Sequence, residues 1–276
     1  MNELFQFSGQ PELQSPTLIV GWSADASQLG SRVTDYLNRK LGGQAFCEIE
    51  PVEFFSLGGV TIENDLVQFP ESKFYACPQN DLVVFQSTTP NHEWYKFLNL
   101  ILDIAQNHCH VKELYTVGGM ITLGAHTAPR DMWSTFNSPE LKKTLSPYRL
   151  SREMNFETPP GGRPTLNSFL LWTAQRRSIP GANLWVPIPF YLVAADDPQA
   201  QKRVLEFFNH RLDLQVDFGD LDEEIRKQNE KIARMRTNFP EIDKYISKLE
   251  SNIRLSEGEN EELVKRVEEC LGETRD

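Results

Sequence analysis

Three short apolar runs place the strongest constraint on this chain. Leu18-Ile19-Val20, Leu82-Val83-Val84-Phe85 and Leu114-Tyr115-Thr116-Val117 are each only a few residues long and bounded by glycine or polar residues. Runs of that length without alternation read as strands buried on both faces. Between them the period changes. Leu29, Val33, Tyr36, Leu37 and Leu41 recur at helical spacing before Gly42-Gly43, and Trp94, Phe97, Leu98, Ile101, Leu102 and Ala105 do so within 91–108. A helix over Thr165–Arg177, a strand over Ala182–Pro187 and a helix over Pro198–Arg211 extend the alternation. Such an order predicts a central sheet with parallel members and helices on both faces, an α/β fold.

The connecting segments carry weaker expectations. Phe46–Phe55 reads as a half-exposed strand, Gly58-Gly59 as a turn, and Leu66–Phe69 with Lys73–Cys77 as a hairpin around Pro70-Glu71-Ser72. The third apolar strand is expected to stop at Gly118-Gly119. From Gly124 to Pro164 the chain is polar and proline-rich with little periodicity, an expected long excursion over the surface.

Composition changes after Gly219. Residues 220–276 hold 16 acidic and 11 basic side chains among 57, a density that reads as exposed helices leaning on a surface. The expected organisation is therefore an α/β/α domain over 1–219 and a charged helical segment over 220–276. Leu221, Ile225, Gln228, Ile232, Met235 and Phe239 form a heptad seam, Pro240 interrupts it, and Ile242, Ile246, Leu249 and Ile253 form a second stripe. Ser256 with Glu259 fits a capping box for a third helix carrying Leu263, Val267, Cys270 and Leu271. The seams are expected to pack on one another, on the main domain or on another subunit.

A net charge of −11 argues against nucleic acid, whose binding rests on Lys and Arg displacing counterions. No apolar run approaches the roughly 20 residues of a spanning helix, so no membrane partner is expected. The first residues lack a basic cluster and an apolar stretch, and Cys47, Cys77, Cys109 and Cys270 lie far apart. A cytoplasmic protein with free thiols is the expectation. No cofactor is predicted, and neither is a metal. His108-Cys109-His110 places adjacent ligands in different directions, with no second pair at zinc spacing.

Taken in order, several of these elements resemble the proteasome assembly chaperone family, of the type related to the second chaperone. They are Leu18-Ile19-Val20-Gly21-Trp22, the helix from Leu29-Gly30 to Leu41, Asp81–Phe85, Leu114–Met120 and His126-Thr127. Ile179-Pro180-Gly181, Val186–Leu192, Asp197-Pro198 and a charged helical end complete the series. The resemblance implies a three-layer α/β/α fold with a mostly parallel sheet, similar to purine nucleoside phosphorylases, with an appended helical tail. It also implies self-association and proteasome-related partners. One departure stands out: archaeal relatives that engage the proteasome can end in hydrophobic-Tyr-any residue, whereas this chain ends Thr274-Arg275-Asp276.

The residues themselves leave several readings of chemistry open. Gly21, Trp22 and Ser23 follow a buried strand and precede a helix, where α/β proteins hold ligands. There Ser23 with the backbone N–H groups holds an anion or presents a nucleophile, or else Ser23 or Asp25 caps the helix. Gly118, Gly119 and Met120 follow another such strand, and the glycines serve a tight turn or a close backbone approach. His126 is a candidate general base or a satisfied loop histidine. Together Gly21, Trp22, Ser23, Gly118, Gly119, Met120 and His126 outline a candidate ligand cleft with no assigned catalytic residue. Trp172, Trp185, Phe190 and Tyr191 read as core or subunit interface. A noncatalytic oligomeric protein is the expected class, with a hydrolase, a phosphorylase-like enzyme or a small-ligand sensor as alternatives.

Overall fold

The computed structural model describes residues 4–56, 60–63, 65–148, 150–151, 162 and 164–272. Its strands are β1 (Phe5–Phe7), β2 (Thr17–Trp22), β3 (Gln44–Ile49), β4 (Thr61–Glu63), β5 (Leu66–Gln68), β6 (Ser72–Cys77), β7 (Leu82–Ser87), β8 (Glu113–Thr122), β9 (Met132–Phe136), β10 (Leu150–Ser151) and β11 (Gly181–Pro189). The helices are α1 (Leu29–Leu41), α2 (Trp94–Asp103), α3 (Pro139–Thr144), α4 (Leu166–Arg176), α5 (Pro198–Leu212), α6 (Gly219–Asn238), α7 (Pro240–Glu250) and α8 (Glu257–Gly272). Two compact units divide the chain. The first comprises Met1–Ala24, Gly30–Gly118 and Trp133–Leu184, the second Asp25–Leu29, Gly119–Met132 and Trp185–Asp276.

The first unit is built on a nine-stranded sheet in the order β1-β3-β6-β7-β2-β8-β11-β9-β10; β8 and β11 run on into the second unit. Its centre is parallel, as the apolar runs predict: β2 pairs with β7 from Thr17↔Leu82 to Trp22↔Ser87 and with β8 from Thr17↔Glu113 to Val20↔Thr116. The flank β1-β3-β6-β7 is antiparallel. A three-residue turn, Pro78–Asn80, joins β6 to β7, with Asp81 in the left-handed region at φ 47°. So short a link permits an antiparallel pair and no helical crossover. The expected hairpin between 66–69 and 73–77 does not form. β6 buries Phe74 and Ala76 and joins the main sheet, while β5 pairs with β4 in a separate two-stranded sheet.

The period of two along β2 sorts the layers. Leu18, Val20 and Trp22 share a core with Phe97, Leu98 and Ile101 of α2 and Leu170 and Ala174 of α4. The alternate residues face α1, where Val33, Tyr36 and Leu37 are buried. Gly21 permits that packing, because a Cβ there would lie 2.3 Å from the Gly30 carbonyl oxygen. Helices thus cover both faces, giving the α/β/α layering. Gly42, at φ 67°, stops α1 as expected.

Three further expectations are corrected. β8 does not stop at Gly118-Gly119 but continues to Thr122, and neither glycine has a positive φ. Phe46–Phe55 is strand only to Ile49, because Pro51 starts a 3-10 turn. The proline-rich stretch after Gly124 contains β9, α3 and β10. Gly58-Gly59, residues 152–161 and 163, and Thr274-Arg275-Asp276 lie outside the described residues.

In the second unit α6, α7 and α8 pack on one another, α6 also on α5, and α8 also on the turn Phe190–Leu192. Leu221, Ile232, Met235, Ile242, Ile246, Leu249, Leu263 and Val267 are all buried, whereas Ile225, Gln228 and Phe239 of the first seam are half-buried. The capping box forms as read: Ser256 N–H donates to Glu259 Oε2 (2.9 Å), and Glu259 N–H donates to Ser256 Oγ (3.4 Å). Ile253 is the exception, 55% exposed, because α7 ends at Glu250 and takes it off the helical stripe. Among the described residues no helix is long and apolar enough to cross a membrane.

Candidate functional site

In the first unit, Gly21, Trp22, Ser23 and Gly118 lie one to three residues beyond the last paired position of two neighbouring parallel strands, Val20↔Thr116. That matches the sequence expectation, but the side chains there serve packing. Trp22 is buried against Phe85 and Phe97, with ring centroids 5.9 and 6.4 Å away. Its Nε1–H donates to Asn167 Oδ1 (2.5 Å), and Asn167 Nδ2 donates to the Val117 carbonyl (3.4 Å). The indole therefore ties β2, α4 and β8 together from inside the core. The Ser23 N–H donates to the Ser87 carbonyl (3.1 Å).

Asp25–Leu29 belong to the second unit. Asp25 makes no side-chain capping bond to the turn Ala26–Gln28. Its Oδ2 instead accepts the backbone N–H of Gly119 (2.9 Å). A Cβ on Gly119 would meet the Ala26 carbonyl oxygen at 2.3 Å, so close backbone approach, not a turn, requires the glycine. Ser27 and Gln28 sit at φ 59° and 49°, a left-handed conformation costing roughly 1–2 kcal/mol per residue. Ser27 is held there through its N–H to the Val193 carbonyl (2.9 Å) and its hydroxyl to the Ala195 carbonyl (2.7 Å).

Met120 follows as a half-buried residue of β8, and His126 lies in the loop beyond. His126 is buried, and its backbone N–H donates to Tyr191 Oη (2.5 Å). The same oxygen lies 2.9 Å from His126 Nδ1. The hydroxyl thus engages both the backbone N–H and one ring nitrogen of His126. Burial first, then the Arg130 and Arg236 charges, pushes the imidazole down to about 4, so it is neutral at pH 7. The Tyr191 phenol is pushed up, chiefly by burial. Neither group is poised to exchange protons near neutrality.

The same loop is anchored twice more. Arg130 Nε and Nη2 both reach Asp197 Oδ2 (3.0 and 2.9 Å) in a buried ion pair, and Asp197 Oδ1 caps α5 by accepting from Ala200 N–H (2.9 Å). Thr127 Oγ1 donates to Glu250 Oε1 (3.1 Å), which also accepts from Arg236 Nη1 (2.8 Å). The Arg236 fork further holds Asp243 Oδ1 (2.6 Å). His126-Thr127, Tyr191 and Asp197-Pro198, three separate stretches of the sequence, thus form one polar framework. Sequence reasoning did not find it; the one local signal was an Asp before a Pro at a helix start.

An exposed aromatic cluster occurs on the first unit instead. Tyr95 of α2 and Phe169 and Trp172 of α4 approach with centroid separations of 6.2 Å (Tyr95–Phe169), 6.3 Å (Tyr95–Trp172) and 5.4 Å (Phe169–Trp172). The Arg176 guanidinium lies over the Trp172 ring at 5.2 Å. Tyr95 is 53% and Trp172 45% exposed. The aromatic group expected from the sequence therefore divides: Tyr191 is buried and Trp185 and Phe190 half-buried in the second unit, whereas Trp172 reaches the surface of the first. Tyr, Trp and Arg are the residue types that dominate binding energy at protein interfaces.

Among the described residues no group of three or more His, Cys, Asp or Glu is placed to hold a metal ion. His108 packs its ring on Phe5 and Phe7. Burial pushes the Cys47 and Cys109 thiols up to about 12 and Cys77 to about 11, which keeps them protonated.

Comparison with known proteins bears on the whole arrangement. The sequence pattern of the PAC2 family matches residues 18–236. No curated protein matches the chain significantly. Among solved structures, a Mycobacterium tuberculosis protein of unknown function is similar with a TM-score of 0.75 at 18% identity, covering 91% of this chain and 89% of that one. A proteasome-assembly chaperone homologue of the same organism gives a TM-score of 0.71 at 18% identity, with 83% and 99% coverage. PbaB of Pyrococcus furiosus, an archaeal proteasome activator, gives 0.66 at 19% identity, with 84% and 98%.

Proposed function

We propose, from the premise that this chain belongs to the PAC2 family, that it acts in the cytoplasm by binding polypeptides, as a noncatalytic oligomeric protein of the proteasome-assembly-chaperone type. The observation that carries this reading is the exposed Tyr95–Phe169–Trp172 cluster with Arg176 stacked on it. Tyr95 and Trp172, held open to water on two helices beside the half-buried Phe169, have little value to the fold and large value to a partner that covers them. The names borne by two structural relatives, an assembly chaperone homologue and a proteasome activator, point to proteasome-related subunits as that partner. The engagement of Trp22, Asp25 and His126 in internal hydrogen bonds supports the same reading, since it commits these side chains to structure.

The test is native affinity isolation with mass spectrometry, run in parallel on wild type and Trp172→Ala. Proteasome-related subunits should accompany the wild type, and truncation of an interface centre should weaken their retention at least tenfold. Purification of the wild type without any polypeptide partner would overturn the reading. A thermal-shift screen with phosphate, nucleosides and nucleotides addresses the competing one. A concentration-dependent rise in melting temperature would show that the chain binds a small ligand and favour that reading instead.

A further inference from the structure

β4 and β5 stand apart from the nine-stranded sheet as a two-stranded ribbon, paired Thr61↔Gln68, Ile62↔Val67 and Glu63↔Leu66. A strand's side chains alternate between faces, so Ile62 and Val67 share one face, and Val60 and Phe69 extend it by the same period. All four are exposed: Ile62 74%, Phe69 62%, Val67 55% and Val60 37%. Among the described side chains this face carries no charged one. Exposed Asp65 stands at the turn, and exposed Glu71 follows the ribbon in sequence. Ribbons of two strands are marginal on their own, and stability comes from covering the apolar face.

We infer that this face is the contact through which two copies of the chain associate; the inference rests on the self-association contained in the proposed function. Size is the first argument. The four side chains present on the order of 400 Å² of apolar surface, about the apolar share of one side of a standard interface of roughly 800 Å² per partner. Self-complementarity is the second. An isologous contact needs one patch that fits itself. A β-branched and phenylalanine face without charge meets its own copy with no like-charge pair, although each chain carries −11 overall.

The experiment is sedimentation velocity on the full chain from 1 to 100 µM, with wild type, Ile62→Lys, Ile62→Glu and an equimolar mixture of the two variants. Wild type should exceed the 31.7 kDa monomer mass and dissociate on dilution. Each variant alone should weaken association at least tenfold, with near-ultraviolet circular dichroism unchanged because the position is exposed. Mixing Lys with Glu variants should restore assembly, which a folding defect would not do. Variants that assemble like wild type would overturn this interface and leave self-association standing. A wild type that is monomeric at every concentration would overturn both. A monomer that binds neutral phospholipid vesicles through Ile62 would assign the face to a lipid surface and also overturn the inference.

Discussion

His126 shows how a residue suited to chemistry is converted to a structural part. An exposed imidazole titrates near neutrality and exchanges protons freely. Here burial and the nearby Arg130 and Arg236 hold its pKa at about 4, and the Tyr191 hydroxyl fills Nδ1. The unfolded chain takes up a proton below about 6.5, whereas the folded one refuses it until about 4. Folding stability therefore falls as pH drops through that window, by about 1.4 kcal/mol per pH unit, or roughly 2–3 kcal/mol in all. His126→Asn keeps an acceptor for Tyr191 and removes the titration. Urea unfolding of both proteins between pH 7 and pH 4 should give a shallower slope for the variant; equal slopes would mean that His126 titrates normally in the folded state.

At the scale of elements, the contact of α1 with β2 depends on two residues without side chains. Gly21 faces the Gly30 carbonyl, and Gly30 faces Trp22 N and the Val117 carbonyl at 3.0 and 3.1 Å from where its Cβ would stand. Gly21→Ala would place a methyl 2.3 Å from a backbone oxygen and 2.6 Å from Thr34 Oγ1, so helix and strand must separate. Overpacking of this kind costs about 1–3 kcal/mol. The expected result is a lower denaturation midpoint with an unchanged m-value, and a neutral Gly21→Ala would show that α1 does not sit where we describe it. The sequence marked Gly21 as special but suggested a ligand; the obstacle is the protein's own backbone.

For the whole molecule, the tail belongs with the second unit, where Glu250, itself held by Arg236, accepts from Thr127 and α8 covers Phe190–Leu192. Removing 220–276 takes away those partners and uncovers Tyr191 and Leu192. The truncated chain should keep the first unit folded, since its core of β2, β7, β8, α2 and α4 contains no tail residue. The second unit should lose protection. Hydrogen exchange on the truncated chain is the measurement: slow exchange in 17–22 and 82–87 with fast exchange in 124–132 and 185–212 is expected. Uniformly fast exchange would mean that the first unit does not fold without the tail.

The local rules read well from sequence because each depends on neighbours along the chain. Period and run length gave the buried strands β2, β7 and β8 and the helices α1, α4 and α5, and Ser256 with Glu259 gave the capping box. Charge density marked the tail helices. Partners distant in sequence decided the rest. β6 paired with β3 and β7 and not with β5, because the main sheet buries Phe74 and Ala76, which outweighs proximity in the chain. β8 ran through Gly118-Gly119, because Ala26 approaches from elsewhere and glycine leaves room for it. His126 found Tyr191 across 65 residues, and Arg130 found Asp197 across 67. Pairings of this length contribute no periodicity and no local turn chemistry, so they take shape only when the tertiary structure brings the segments together.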